Sequence, residues 1–101
     1  MGFLYYGASR TPIEFDDRTL AHLEAAIVTK LRRNESFVFT LDIPTANGSG
    51  RRALWFRTDM DLEFHFIGGR APAINRHWVE TLLTAANSGQ GLRLSPEPAQ
   101  S

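Results

Sequence analysis

The chain carries 101 residues, no cysteine and a formal net charge of zero. The length fits one domain. Without cysteine, disulfides, thiolate metal sites and cysteine nucleophiles are excluded. Without a basic excess, a protein that grips nucleic acid chiefly by its phosphates is disfavoured, and only a local basic patch would serve.

Hydrophobic residues make up 43% and charged residues 22%, the balance of a globular chain with one buried core. No apolar run is long enough to cross a bilayer, so no membrane partner is expected. The opening MGFLYYGASR has no basic region followed by an apolar stretch. No signal peptide is read, and a cytoplasmic location is expected.

Residues 3 to 6 (FLYY) are strand-like, 7 to 11 form a loop, and PIEF at 12 to 15 reads as a second strand, so the pair predicts a hairpin. Asp16 is placed to cap a helix, with Phe15 and Leu20 at the spacing of a hydrophobic staple. Leu20, Leu23, Ile27 and Leu31 recur at helical spacing, with Val28 at the edge of the stripe and His22, Thr29 and Arg33 opposite. Lys30, Arg32 and Arg33 complement the negative end of the helix dipole, and Asn34 suits the left-handed residue that ends a helix.

SFVFTLDI at 36 to 43 alternates Phe37, Phe39, Leu41 and Ile43 with Val38, Thr40 and Asp42. A loop is predicted over PTANGSG, 44 to 50. RRALWFRT at 51 to 58 sets Leu54 and Phe56 against Ala53, Trp55 and Arg57, and after Asp59 to Asp61 the run from Leu62 sets Phe64 and Phe66 against Glu63, His65 and Ile67. Three such runs joined by short connections predict an antiparallel meander. Gly68 and Gly69 end it, and Asn75 caps a second helix with Ile74, Trp78, Val79, Leu82 and Ala86 on one side and Gly89 just past its end. Leu92 and Leu94 make a last short strand, and SPEPAQS, 95 to 101, reads as a flexible tail after a domain spanning 1 to 94. The expected fold is α+β in the order ββαβββαβ, with both helices on the Phe/Leu face of the sheet.

If Phe64 and Phe66 face the core, His65 points away from it, toward Trp55 and Arg57 of the neighbouring strand and Thr40, Val38 and Glu63. That face is either an ordinary solvated sheet surface with cross-strand pairs or a recognition surface, since tryptophan and arginine are favoured at interfaces and tryptophan stacks on bases. No metal is expected: Asp59, Asp61 and His65 lack a ligand spacing. No catalytic set is expected either, because His22 and His77 read as outward helix residues without a nucleophile or acid beside them. NGSG at 47 to 50 precedes a strand and carries no lysine, so it is a hairpin loop rather than a phosphate loop. The remaining clue is arginine. Arg32 with Arg33, Arg51 with Arg52, and Arg57 would form an anion or nucleic-acid patch if they converged. No cofactor is read. The partners expected are a protein, including a second copy of the chain, or nucleic acid.

YYG near the start, EFDDRTLAHLEAAIVTKLRRNESF at 14 to 37, NRHWVETLLTAANS and GLRLSPEP together resemble a family of small uncharacterised actinobacterial proteins, over nearly the whole chain. The resemblance implies a stand-alone small domain in a GC-rich, Gram-positive bacterium. The arginine bias agrees with that source, since Lys30 is the sole lysine among eleven basic residues. Members often carry the label ATP-dependent DNA ligase. Such ligases adenylylate a lysine in a KxDG-type motif. Here Lys30 is followed by Leu-Arg-Arg, and 101 residues leave no room for a nucleotidyltransferase domain with its partner domain.

Overall fold

A computed structural model of the chain describes residues 1–45 and 48–99. The elements are β1 (Gly2–Tyr6), β2 (Thr11–Phe15), α1 (Asp17–Arg32), β3 (Phe37–Thr45), β4 (Gly48–Phe56), β5 (Leu62–His65), α2 (Arg76–Ala86) and β6 (Leu92–Arg93). The class is α+β and the order ββαβββαβ, as expected. The loop expected at 44 to 50 narrows, because β3 runs to Thr45 and β4 starts at Gly48. Ala46 and Asn47, on which part of that expectation falls, lie outside the described residues, as do Gln100 and Ser101 of the tail.

The strands form two three-stranded sheets, β2-β1-β5 and β4-β3-β6. The N-terminal hairpin is antiparallel, with Leu4 opposite Ile13. The expected meander is only half formed. β4 pairs with β3, but β5 leaves it and pairs antiparallel with β1, Leu4 opposite Phe64. In the connection the Arg57 side chain pairs with Asp59 and its backbone N–H donates to Met60 Sδ. Asp61 then accepts from the Gly7 N–H, extending the new pairing, while the Trp55 carbonyl, at the edge β5 leaves bare, accepts from Tyr6 Oη at 2.7 Å. β6 lies on the other side of β3 in parallel, Thr40 opposite Arg93.

Alternation decides what is buried. Leu4, Phe37, Phe39, Leu41, Leu54 and Phe56 fill one core with Leu20, Leu23 and Ile27 of α1 and Trp78 and Leu82 of α2. Phe56 sits where the sheets meet, edge-on to Tyr6 at 5.4 Å and stacked on Phe37 at 5.1 Å. Burying each such side chain contributes about 1.5–3 kcal/mol. The helices do not share one sheet face as expected: α1 packs on β1 and α2 on β3 and β6, and the two helices pack on each other.

The caps follow the sequence reading. Asp16 accepts from the Thr19 N–H at 3.1 Å. Asn34 has φ +63°, and the Glu35 N–H donates to the Lys30 carbonyl, closing a Schellman turn. Asn75 Oδ1 accepts from the His77 N–H at 3.0 Å. The left-handed glycine after α2 is Gly91 (φ +83°), not Gly89 as expected. A Cβ at Gly91 would stand 2.6 Å from the Val38 carbonyl oxygen, so β6 reaches β3 only because that residue lacks one. Ile74 precedes α2 and is 43% exposed, so it is not part of the core stripe.

Candidate functional site

The seam between the helices holds the largest departure from the sequence reading. His22, Ala26 and Lys30 stand four residues apart on α1 and form a ridge on which α2 packs. His22 is fully buried, not outward, with its ring 4.6 Å from that of Trp78. Its Nε2 accepts from the Asn75 N–H at 2.8 Å, which leaves Nδ1 to carry the proton and donate to the Arg18 carbonyl at 2.7 Å. Lys30 is buried as well, hydrogen-bonded to Asn87 Oδ1 and paired with Glu35 at 2.9 Å. Periodicity missed both residues because they read as polar, and their distant partners are set only by the fold.

Next to this seam, Arg18 makes a two-pronged ion pair with Glu97, at 2.8 and 2.6 Å, and donates to the Ala73 carbonyl. Asn75 Nδ2 donates to Glu97 Oε2 and to the Pro98 carbonyl. The Arg18 and Asn75 bonds hold the Glu97 carboxyl down at about 2, from an ordinary 4.5. Glu97 belongs to the stretch whose composition predicts a flexible tail.

His65 lies outward, as expected, but in the other sheet from Trp55 and Arg57. Its neighbours are Phe3, opposite it in register, and Tyr5, whose ring is 6.5 Å away. Tyr5 stacks on Phe3 at 6.0 Å, and the Arg10 guanidinium lies 4.5 Å from the Tyr5 ring centre while donating to Glu63 at 2.7 Å. That bond to Arg10 lowers the Glu63 carboxyl below its usual range. Arg10 adopts φ +55°, a left-handed conformation unusual outside glycine. The outer face of β2-β1-β5 is thus an aromatic row whose Arg10 is already engaged by Glu63 and Tyr5.

The outer face of β4-β3-β6 differs. Arg51, Ala53 and Trp55 project from β4, Val38, Thr40 and Asp42 from β3, and Arg93 from β6, with Arg57 just past the end of β4. Trp55 is 54% exposed. Arg57 pairs with Asp59 at 3.1 Å. Thr40, Arg51, Ala53, Gln90 and Arg93 line a depression of about 510 Å³. Among the described residues the Arg51 and Arg93 side chains make no ion pair or hydrogen bond. Asp42 stands opposite Arg51 in register without pairing with it.

The structure separates one of the expected arginine pairs and leaves the other together. Arg51 and Arg52 fall on opposite faces of β4, since neighbouring strand residues must. Arg52 borders a separate cleft with Glu14, Asp42 and Leu94. Arg32 and Arg33 are exposed at the end of α1. The residue sequence reading missed is Arg93, whose only signal was its parity against the buried Leu92. Another groove runs along α1 past Ala21, Glu24, Ala25, Phe66 and Ile74, and burial there pushes the Glu24 carboxyl up. Among the described residues no group of three or more His, Asp or Glu is gathered to hold a metal, and no helix is long and apolar enough to cross a membrane.

A family model described as a domain of unknown function (DUF7882) matches residues 1–97. No curated protein and no solved structure matches the chain.

Proposed function

The chain belongs to the DUF7882 family, a domain of unknown function, and on that premise we propose that it is a small non-catalytic binding and assembly domain that works through protein contacts, first of all with a second copy of itself. One observation carries the reading: Trp55, a large side chain favoured at interface centres, stands 54% exposed on the sheet face that also carries Arg51 and Arg93. A formal net charge of zero offers no global repulsion between copies. Light scattering over a range of concentrations tests it. A dimer that dissociates on dilution, and is lost in Trp55→Ala, is expected; a monomer at every concentration removes the self-association.

A second reading, a nucleic-acid-associated accessory protein, is favoured by Arg51 and Arg93 lining one depression. It predicts salt-sensitive binding that Arg51→Ala weakens more than Arg52→Ala. No binding to DNA or RNA at low salt would remove it. The resemblance and arginine-rich composition support the cytoplasm of an actinobacterium as the setting. The ligase label is not taken as an activity, because Lys30 is buried and engaged by Asn87 and Glu35 rather than presented to a nucleotide. Incubation with ATP and nicked DNA should leave the protein unadenylylated.

A further inference from the structure

We propose that the depression on the outer face of β4-β3-β6 is a subsite for a nucleoside phosphate unit, with the phosphate between Arg51 and Arg93 and the base laid on Trp55. This rests on the second reading above and names its ligand. β3 is the central strand: Arg93 on β6 stands beside Thr40, Arg51 on β4 stands opposite Asp42, one same-face step along from Ala53, and both arginines line the one depression. The two strands lie on either side of β3, about 10 Å apart at two strand spacings, a gap that two long guanidinium side chains span from opposite sides. Arginine presents a planar fork of donors that matches two phosphate oxygens at once.

The rest of the lining fits that ligand. Thr40 and Gln90 supply neutral hydrogen-bonding groups, Ala53 leaves the floor open, and no carboxylate lines the depression. Its volume of about 510 Å³ lies within the range of small-molecule sites. Two residues along β4 from Ala53, about 7 Å away on the same face, stands the exposed Trp55 ring. That offset suits the separation of a phosphate from its own base. Asp42, opposite Arg51, closes the approach from the far end to a second phosphate.

The face of β2-β1-β5 offers no such site. Its Arg10 is already bound to Glu63 and lies over Tyr5, so an incoming phosphate would have to displace an internal partner.

The test is an NMR titration of the intact chain with inorganic phosphate, adenosine monophosphate and an oligothymidylate, following the Trp55 indole N–H and the arginine Nε–H signals. The nucleotide and the oligonucleotide should both shift Trp55 and the two arginines, and phosphate the arginines alone. Trp78, buried against His22, should stay still. Arg51→Ala with Arg93→Ala should lower nucleotide affinity at least tenfold, whereas Arg32→Ala with Arg33→Ala, exposed at the end of α1 and outside the depression, should leave it unchanged. Oligonucleotide affinity should fall about threefold between about 50 and about 200 mM salt with the one phosphate engaged. Similar affinity for monomer and oligomer supports a free nucleotide as ligand; a tenfold or larger preference for the oligomer supports a single strand. The proposal is overturned by unmoved Trp55 and arginine signals, by equal affinity in the double variant, or by an acidic peptide that binds as well as the nucleotide.

Discussion

The two sheets turn similar faces outward and treat them differently. On β2-β1-β5 a cation, an anion and three aromatic rings contact one another: Arg10 with Glu63 and Tyr5, and Tyr5 with Phe3 and His65. On β4-β3-β6 the comparable groups, Arg51, Arg93 and Trp55, find no such partners among the described residues. Alternation along a strand places side chains outward on both sheets, but it does not say whether they meet a partner there. A guanidinium already held within the chain gives up those contacts to bind anything else, whereas an unmatched one loses only water. That difference, more than the mere presence of arginine, directs attention to the second sheet.

The largest expected effect breaks both faces together. Phe56→Ala should cost about 3–5 kcal/mol, and because Phe56 touches Tyr6 of one sheet and Phe37 and Phe39 of the other, both sheets should unfold in one transition. Urea melts followed by fluorescence and by circular dichroism should coincide; two separated transitions would show that the sheets are independent.

Gly91→Ala acts on one face alone. Its φ of +83° and the 2.6 Å approach to Val38 make a Cβ costly there, by about 1–3 kcal/mol. It should loosen β6, move Arg93 away from Thr40 and weaken anion binding, while the Tyr5–His65 contact stays as it is. Amide hydrogen exchange resolves the two sheets. Asn75→Ala, which touches neither face, should cost about 1–2 kcal/mol through the lost cap of α2, and thermal melts of this variant supply the control.

Acid should sharpen the contrast. Glu63 and Glu97 both titrate lower in the folded chain than unfolded, Glu97 at about 2. Their contributions are therefore full above about pH 4.5 and are lost as pH falls through the folded values, toward about 2 for Glu97. Between these limits the Arg10–Glu63 contact should release and the Tyr5 ring should gain mobility, while Trp55, which no carboxylate holds, should show no matching step. Carboxyl and ring signals followed by NMR measure this. Arg51→Ala should have the smallest effect, within about 0.5 kcal/mol of the parent stability; a larger loss in thermal melts would mean that Arg51 has a partner inside the fold.

Much of this could be read in advance. A period of two sorted Phe37, Phe39, Leu54 and Phe56 inward and Thr40, Trp55 and His65 outward, because pleating leaves a strand residue no third choice. Asp16, Asn34 and Asn75 announced helix ends through local hydrogen bonds that involve residues nearby in the chain. The pairing of β5 with β1 was not legible. It joins residues about sixty positions apart, and nothing within β5 distinguishes the edge of β4 from the edge of β1.

The candidate site divides the same way. The chain alone determined that Trp55, Arg51 and Arg57 share a face, since that follows from counting along one strand. Only the tertiary structure decided that Arg93 joins Arg51, that His65 sits on a different sheet, and that His22 and Lys30 are buried between the helices. Periodicity describes one element at a time, whereas the partner of an edge strand or of a polar side chain is supplied by whichever distant segment packs against it.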